Sequence, residues 1–428
     1  MIKFRNAVVW GWLFATVGLN AQTLKIADCY TLAKTNYPLV KQYALIEKTK
    51  EFSIENAQKA YLPQFGIYGQ ATYQSEVTKI PIDLSALQPI LGENAPNIPE
   101  LSKEQYKLYG EVAYSLTGLV TNKNQTDLVR ANAEVETQKV EVELYKLHER
   151  INSLFFGILL LDAQIAQTEL VKKDIRNGIE RTETAITNGV ALKSAADNLK
   201  AELLKMKQRT TELQAARKGY ADMLALFIGQ KIDETTVFEK PLSQVVSNTI
   251  NRPEMRLFDL QNKAFDLQNR LITNKNLPHL SLFLQGGFGK PALNMFSDNL
   301  DPFYIAGLRV NWNLSGFWTF KNERKQVANN QIGTQIQQEL FLFNTNVALS
   351  QQTTEIIKMQ QLIVDDGEII LLRESVKNTA QTQLENGTAT TNDYLIAVNA
   401  EDQAQQNRIL HEMQLLMAQY NKKITLGN

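Results

Sequence analysis

The sequence predicts a mainly α-helical chain that also contains four β-strands and is built from two structural repeats. The strands are indicated by LPQFGIYGQATYQ at 62–74 and LPHLSLFLQGGFG at 277–289, where apolar residues alternate with polar or small ones after a Leu-Pro pair. Long helices are indicated by two stretches without proline, from 119 to about 187 and from 317 to about 385. Because the same elements recur in the same order, the chain is predicted to contain an internal repeat.

Two offsets define this repeat. An offset of 215 residues places Leu62-Pro63 on Leu277-Pro278, and an offset of 198 places VAYSLTG at 112–118 on VNWNLSG at 310–316. The offset changes by 17 after the first strand, so the first repeat has the longer loop there. We expect four segments along the chain: a signal peptide at 1–21, a first repeat at 22–230, a linker at 231–250 and a second repeat at 251–428.

The N-terminus has the pattern of a secretory signal peptide. Lys3 and Arg5 precede a largely apolar run from Ala7 to Leu19, and small or polar residues follow it. A transmembrane anchor needs about 20 apolar residues, and this run is shorter. We therefore expect export from the cytoplasm and cleavage after Ala21.

Charge and reactive residues exclude several functional classes. The formal net charge is zero, which gives no reason to expect nucleic acid as a partner. His148, His279 and His411 stand in no metal-ligand spacing, and no nucleophile motif with a base partner is present. The glycines of GGFGKP at 286–291 have the wrong spacing for a phosphate-binding loop. The sequence thus predicts a protein that is not an enzyme, without catalytic residues, metal or cofactor.

The strands are the membrane candidates, because no apolar run near 18 residues is evident beyond the signal peptide. The clearest alternation lies at 303–315, where one face is predicted to carry Tyr304, Ala306, Leu308, Val310, Trp312 and Leu314. An apolar outer face and a polar inner face are typical of membrane barrel strands. Trp312, Phe317, Trp318 and Phe320 are placed to form an interfacial girdle. Phe283 breaks the pattern, and a soluble sheet packed on one side gives the same alternation.

Four strands cannot close a barrel alone. An open sheet edge cannot face lipid, and the smallest membrane barrels have about eight strands. Several chains must therefore share one barrel, with eight, twelve or sixteen strands from two, three or four copies. The strand pattern does not choose among these numbers.

The proline-free stretches are predicted to form long coiled-coil hairpins. At about 1.5 Å per residue, each long helix would measure on the order of 100 Å. The first has a seam of apolar residues spaced by threes and fours, namely Val140, Leu144, Leu147, Ile151, Leu154, Ile158, Leu161 and Ile165. In the second, Leu342, Leu349, Ile356 and Ile363 keep a seven-residue period that Thr345 and Gln352 interrupt. A soluble helical bundle accounts for the helices but not for the strands.

Each long helix is predicted to end at an Asn-Gly pair, Asn188-Gly189 or Asn386-Gly387. Asn and Gly tolerate the left-handed conformation that ends a helix. A second helix then returns to Gly229 or Gly427. Each repeat thus contains a helical hairpin with one tip.

The order of these elements resembles the outer membrane efflux protein family of TolC. The residues that carry the resemblance are Asn-Arg-Pro-Glu at 251–254, Leu277-Pro278 before a strand, and the two Asn-Gly tips. The resemblance covers nearly the whole mature chain. It implies a homotrimer with a twelve-stranded barrel in outer membrane lipid and a helical barrel across the periplasm of a Gram-negative cell. It also implies two partners, a periplasmic adaptor (membrane fusion) protein and an inner-membrane pump.

The resemblance also implies functional residues at the tips. It places the adaptor contact on Gly189, Val190 and Ala191 of the first tip, and on Gly387, Thr388 and Ala389 of the second. The alternative is that Asn-Gly only turns the chain.

A pore constriction is implied at Asp393, where the family has an acidic residue facing the closed end of the pore. The alternative for Asp393 is an exposed residue near a helix start, where the macrodipole favours a negative charge. Two departures from the family stand nearby, Ile396 in place of a second aspartate and Ala195 as the first-repeat equivalent of Asp393.

The expected function is a passive exit duct across the periplasm and outer membrane, in a tripartite efflux or type I secretion system. The alternative is a periplasmic or surface coiled-coil structural protein without a channel. A stand-alone porin would not need such long helices. Drugs, metals and secreted polypeptides would use the same wall, so the cargo stays open, as does closure of the periplasmic end at rest.

Overall fold

The computed structural model describes residues 23–77, 102–242 and 249–428. The predicted signal peptide, most of the longer predicted loop at 75–104 and part of the predicted linker lie outside these ranges. The chain forms two compact units, each assembled from separate segments. We name them the helical unit, with the described residues to Val40, Glu143–Arg252 and Phe343–Asn428, and the strand unit, with Lys41–Val142 and Pro253–Leu342. Both predicted repeats therefore contribute to both units.

Helices make up most of the described chain. The helices are α1 (Ile26–Asn36), α2 (Lys41–Lys59), α3 (Gly118–Tyr145), α4 (Leu147–Thr187), α5 (Lys193–Ile228), α6 (Pro253–Lys275), α7 (Gly316–Glu385) and α8 (Thr391–Leu426). The strands are β1 (Thr23–Leu24), β2 (Gln64–Tyr73), β3 (Glu104–Ser115), β4 (Val237–Phe238), β5 (His279–Lys290) and β6 (Asp301–Asn311). This is the mainly helical fold with long hairpins and membrane-length strands that the sequence predicts.

The strand unit contains one four-stranded antiparallel sheet in the order β2-β3-β5-β6. The end of β6 differs from the predicted strand at 303–315, because β6 stops at Asn311 and Trp312 follows it. The Asn313 side chain accepts a hydrogen bond from the Ser315 amide at 3.1 Å, which begins the turn into α7. Helices α3 and α6 pack together through a small core of Ala131, Val135, Ala264 and Leu267.

The helical unit is built mainly from α4, α5, α8 and the end of α7. Lys146 separates α3 from α4, but its φ of −62° and ψ of −18° are helical, so the backbone continues with little interruption. Ile151, Phe155 and Ile158 of α4 are buried in the core. The short strands β1 and β4 pair in parallel.

One expectation about hydrophobic length was wrong. Within Thr121–Thr187 the described chain contains an 18-residue helical window with a mean hydropathy of 1.5, long and apolar enough to cross a membrane by composition. A buried core helix gives the same signal, and Ile151, Phe155 and Ile158 are buried. The buried part of the window, 39% of it, belongs to the apolar seam predicted on this helix.

The asparagines that align in the two repeats pack against the ends of the returning helices. Helix α5 ends at Gly229 with φ 67°, and a Cβ atom there would lie 2.5 Å from the Asn36 side chain. Helix α8 ends at Gly427 with φ 85°, and a Cβ atom there would lie 2.4 Å from the Asn251 backbone. Glycine is required at both positions, because its backbone is left-handed and because a side chain would collide with the neighbouring asparagine.

Candidate functional site

The two hairpin tips have the same turn. Gly189 has φ 75° and Gly387 has φ 70°, so both adopt the left-handed conformation that ends a helix. The Val190 amide donates to the Ala185 carbonyl at 2.9 Å, and the Thr388 amide donates to the Gln383 carbonyl at 2.9 Å. The Asn-Gly pairs therefore turn the chain as predicted.

The tips lie side by side in the helical unit and line a common groove of about 850 Å³. Among the predicted contact residues, Val190, Ala191, Gly387 and Ala389 line this groove, whereas Gly189 and Thr388 do not. Val190 is 79% exposed. A Cβ atom added at either tip glycine would meet no described atom within 4 Å. The groove is thus open at the two turns, and its lining combines small and apolar residues with polar and charged ones.

An ion pair joins the two hairpins at the groove. Arg181 of α4 donates to the carboxylate of Glu385 at the end of α7, and both residues line the groove. Within the first hairpin, Lys200 lies 2.7 Å from Glu183. This bond and the negative charge of Glu183 raise the pKa of Lys200.

Asp393 forms a capping box with Thr390 at the start of α8. The Asp393 amide donates to Thr390 Oγ1 at 3.2 Å, and Asp393 Oδ2 accepts from Thr390 Oγ1 at 2.6 Å and from the Thr390 amide at 2.9 Å. The side-chain bond, followed by the backbone bond, lowers the pKa of Asp393. Asp393 is therefore anchored at a helix start, as the alternative from sequence described, and its role in a pore stays a prediction.

The first tip lacks this device. Leu192 stands at the corresponding cap of α5 and makes no side-chain capping bond. Ala195 occupies the position equivalent to Asp393. The two tips thus share their turn but differ in the chemistry of the helix that follows.

A hydrophobic cluster supports the second tip. It contains Val171 and Ile175 from α4, Leu199 and Met206 from α5, and Tyr394 and Val398 from α8. A Cβ atom at Gly178 would lie 3.1 Å from the Tyr394 ring, so a glycine lets α4 approach α8 closely. The cluster fixes both returning helices against α4.

Buried ionic groups connect the helices further along. Lys377 Nζ of α7 lies 3.0 Å from Asp174 Oδ2 of α4 and 3.5 Å from Glu401 Oε2 of α8. Burial opposes the charge of Lys377, but its bonds to Asp174 and Glu401 raise the pKa of Lys377 overall. In a second network, Asp402 accepts from Arg209 at 3.1 Å and from Gln167 at 3.3 Å.

Sequence reasoning missed these networks, although part of the signal was present. The seven-residue series on α7 runs through Thr345, Gln352, Met359 and Asp366, and three of these four residues are polar. Gln352 donates to Thr425 at 2.9 Å, and Asp366 Oδ2 lies 2.6 Å from His411 Nδ1. Polar residues in a seam therefore indicated cross-helix pairs in this unit. Lys377 and Glu401 gave no comparable signal.

One face of the sheet is apolar and exposed. Its side chains are Phe65, Ile67, Tyr73, Tyr106, Leu108, Leu280, Leu282, Leu284, Phe288, Tyr304, Leu308 and Val310. Phe65 is 80% exposed and Ile67 85% exposed. No helix of the strand unit covers this face within the described residues. A soluble sheet packed on one side would bury these residues, so that alternative does not fit.

The opposite face carries a polar network. Arg309 donates to both carboxylate oxygens of Glu111, at 2.7 and 2.9 Å, and Gln285 also donates to Glu111. The Arg309 guanidinium lies 4.3 Å from the centre of the Phe283 ring. Phe283 thus supports a cation on the polar face, which explains its departure from the alternation.

The histidines do not form a shared site. Within residues 23–77, 102–242 and 249–428, no group of three or more His, Cys, Asp or Glu side chains has the arrangement of a metal site. His148 contacts Tyr145, and His411 pairs with Asp366. His148 and His411 thus have different neighbours in separate parts of the helical unit.

Comparison with solved structures identifies the fold. The outer membrane protein VceC from Vibrio cholerae is 14% identical, covers 94% of this chain and 96% of its own, and gives a TM-score of 0.64. CusC, whose structures concern folding and transmembrane channel formation, is 10% identical. The match covers 94% of this chain and 91% of CusC, with a TM-score of 0.68. The open MtrE outer membrane channel of Neisseria gonorrhoeae is 12% identical. The match covers 94% of this chain and 89% of MtrE, with a TM-score of 0.63.

No protein-family profile matches the sequence, and no curated protein matches it either. The similar structures include further outer membrane channels, such as CmeC of Campylobacter jejuni. At these identities the likeness establishes the fold and not the activity. The fold predicted from the repeat and the tip motifs is confirmed: this chain has the fold of the TolC-like outer membrane channels.

Proposed function

We propose that this protein is the outer membrane channel of a tripartite efflux or type I secretion system, working as a passive duct. The observation that carries the proposal is the exposed apolar face of the four-stranded sheet. Twelve large apolar or aromatic side chains on one face would be costly in water and are favourable in lipid. A predicted signal peptide fits delivery to the outer membrane.

The sheet also favours an oligomer. Strands β2 and β6 are at its two ends, and neither has a second partner strand among the described residues. Unpaired backbone groups cannot face hydrocarbon, so another copy must supply the neighbouring strand. Three copies would give a barrel of twelve strands, the number that the family resemblance implies.

A second apolar surface supports association of the helices. One face of α7 carries exposed apolar residues at roughly helical intervals. They are Phe343, Val347, Ile357, Val364 and Leu371. These residues lie outside the buried seam that contains Met359 and Ile370. Helix α7 thus has an apolar stripe suited to a neighbouring copy in a helical barrel.

The tip groove is the proposed contact for a periplasmic adaptor protein that links the channel to an inner-membrane pump. Its small lining residues, including Ala191 and Ala389, would let a helical hairpin of the adaptor approach the backbone. In a trimer, Asp393 of each copy would contribute one carboxylate to a constriction. Like charges at close range would attract cations there.

The first experiment measures association and conductance. We expect the full chain in mild detergent to have the mass of a trimer by light scattering, and to conduct ions in a planar bilayer. A monomer with intact strands would refute the shared barrel. An oligomer without conductance would favour the coiled-coil structural protein instead.

The second experiment tests the assignment of the two sheet faces with a matched pair of variants. Ile67 and Gln70 are both exposed on β2 but belong to opposite faces. Ile67→Lys is expected to destabilise the membrane-inserted protein by about 2–4 kcal/mol, as for a cation on the lipid face near the bilayer centre. Gln70→Lys, facing the lumen, is expected to leave stability nearly unchanged and to alter ion selectivity. Equal effects would contradict the assignment.

A further inference from the structure

A chain of aromatic rings continues the apolar face from the end of β6 into α7. Trp312 and Phe317 have ring centres 6.2 Å apart, and Phe317 and Phe320 also lie 6.2 Å apart. The Trp312 indole donates to the Asn276 carbonyl at 3.1 Å, which fixes its orientation. Trp318, in the same turn, is 84% exposed. Rings of this kind are enriched where a membrane meets water.

Three cations follow these rings on α7. Lys321 and Arg324 lie four and seven residues after Phe317, and Lys325 lies seven after Trp318, so they share the exposed side of the helix. Arg324 stands 5.8 Å from the centre of the Phe320 ring. We name the seven residues Trp312, Phe317, Trp318, Phe320, Lys321, Arg324 and Lys325 the aromatic–basic corner.

The charge of the corner is not neutralised within the described chain. Neither Lys321 nor Lys325 forms an ion pair with a described residue. The nearest acidic residue in sequence, Glu323, is bound by Lys275 at 3.2 Å and by Thr319 at 2.7 Å. The corner therefore has cations free to bind an external anion.

The first repeat has only part of an equivalent corner. Tyr114 and Lys123 match Trp312 and Lys321, but Leu119, Thr126 and Asp127 occupy the positions of Phe317, Arg324 and Lys325, so one cation of the three remains and it has an acidic residue four positions on. A solvated helix face needs no such combination of rings and cations, and the repeat shows that the fold does not require it. The second repeat thus carries a feature with a local purpose.

We propose that the aromatic–basic corner binds the phosphate headgroup of an anionic phospholipid, with the acyl chains against the apolar face of the sheet. The rings would lie at the level of the glycerol groups, and the lysine and arginine side chains would extend to the phosphate. A phosphodiester accepts hydrogen bonds from both cation types. This proposal rests on the membrane location given under the proposed function.

The test compares two variants of the full chain with the same change in charge. The corner variant carries Lys321→Gln, Arg324→Gln and Lys325→Gln, and the control carries Lys173→Gln, Lys193→Gln and Lys207→Gln, at exposed positions of the helical unit. Native mass spectrometry in detergent measures the retention of phosphatidylglycerol and of phosphatidylcholine. We expect wild type and control to retain phosphatidylglycerol preferentially. In the corner variant, the ratio of retained phosphatidylglycerol to retained phosphatidylcholine should fall by about tenfold or more.

Three results would overturn the proposal. The first is an equal preference in the corner and control variants, which would show that the corner has no special role. The second is a wild type without preference for phosphatidylglycerol. The third is displacement of the lipid by equimolar inorganic phosphate, which would assign the cations to a free anion. Conductance in a neutral bilayer tests the channel separately, because a corner variant that conducts without lipid preference leaves the proposed function intact.

Discussion

Replacement of Lys377 by methionine would remove the cation from a nearly buried ionic group. The Lys377 side chain is 16% exposed and that of Glu401 is 9% exposed, whereas Asp174 keeps 35%. Breaking a buried pair by removing one partner costs about 3–5 kcal/mol. Because Asp174 remains partly hydrated, we expect the lower end, about 3 kcal/mol in the free energy of unfolding.

Helix α7 offers a matched control. Lys358 pairs with Glu355 at 2.7 Å, but both side chains are well exposed, at 52% and 41%. Lys358→Met makes the same chemical change on the same helix and is expected to cost less than about 1 kcal/mol. The comparison therefore isolates burial from charge and from helix propensity.

The pH dependence has a defined sign. Because the folded-state pKa of Lys377 is raised, its stabilisation is fully present below the ordinary lysine pKa and is lost as pH rises through the raised value. The difference in stability between wild type and Lys377→Met should therefore decrease as the pH rises through the raised pKa of Lys377. Adding Glu401→Gln to Lys377→Met should restore part of the stability at neutral pH.

The measurement is chemical or thermal unfolding of the full chain in detergent, followed by circular dichroism, with amide hydrogen exchange along α7 and α8. In Lys377→Met, local opening near residue 377 should increase the rate of amide hydrogen exchange in both helices. Equal destabilisation by Lys377→Met and Lys358→Met at neutral pH would refute the reasoning. So would a double variant with Glu401→Gln that is less stable than the single one.

Three further predictions concern the tips. Asp393→Ala should reduce cation preference and block by a trivalent ion in single-channel recordings; unchanged values would exclude Asp393 as a pore residue. Val190→Glu and Thr388→Glu should lower efflux at normal trimer yield if the tips bind an adaptor, whereas normal efflux would leave Asn-Gly as a turn only. Leu199→Ala, in the buried cluster, should cost about 2–5 kcal/mol in unfolding free energy. Leu204→Ala, exposed on the same helix, should cost about 0.5 kcal/mol or less, so similar losses would contradict the cluster's role.

The sequence predicted the elements that have local signals. Alternation with period two located β2 and β5, and Asn-Gly located both tips to the residue, because a left-handed turn restricts its residue types. The end of β6 was placed too far along, since Trp312 and Leu314 continue the apolar alternation after the hydrogen-bonded ladder has stopped. The alternation of side chains therefore does not show where the backbone pairing of a strand ends.

Contacts between distant segments were beyond local patterns. Lys377, Asp174 and Glu401 belong to three helices, and each is an ordinary charged residue in its own segment. Phe283 stood out as an exception, but its reason, the Arg309 cation over its ring, depends on the pairing of β5 with β6. Such networks are specified by tertiary geometry, which periodicity does not contain.

The differences between the two repeats bear on how an assembly of copies would work. Both tips use a left-handed glycine, but a capping box of Thr390 and Asp393 starts α8, whereas Leu192 starts α5 without a side-chain cap. A side-chain cap contributes about 1 kcal/mol to a helix start, so the first turn of α5 should open more readily than that of α8. In a proposed trimer the six tips would then be of two kinds, one stiffer and carrying the carboxylate, the other looser and uncharged at that position. A partner that binds all six tips of such a trimer would have to match two different surfaces, and the tips without a side-chain cap would need less free energy to open their first helical turn.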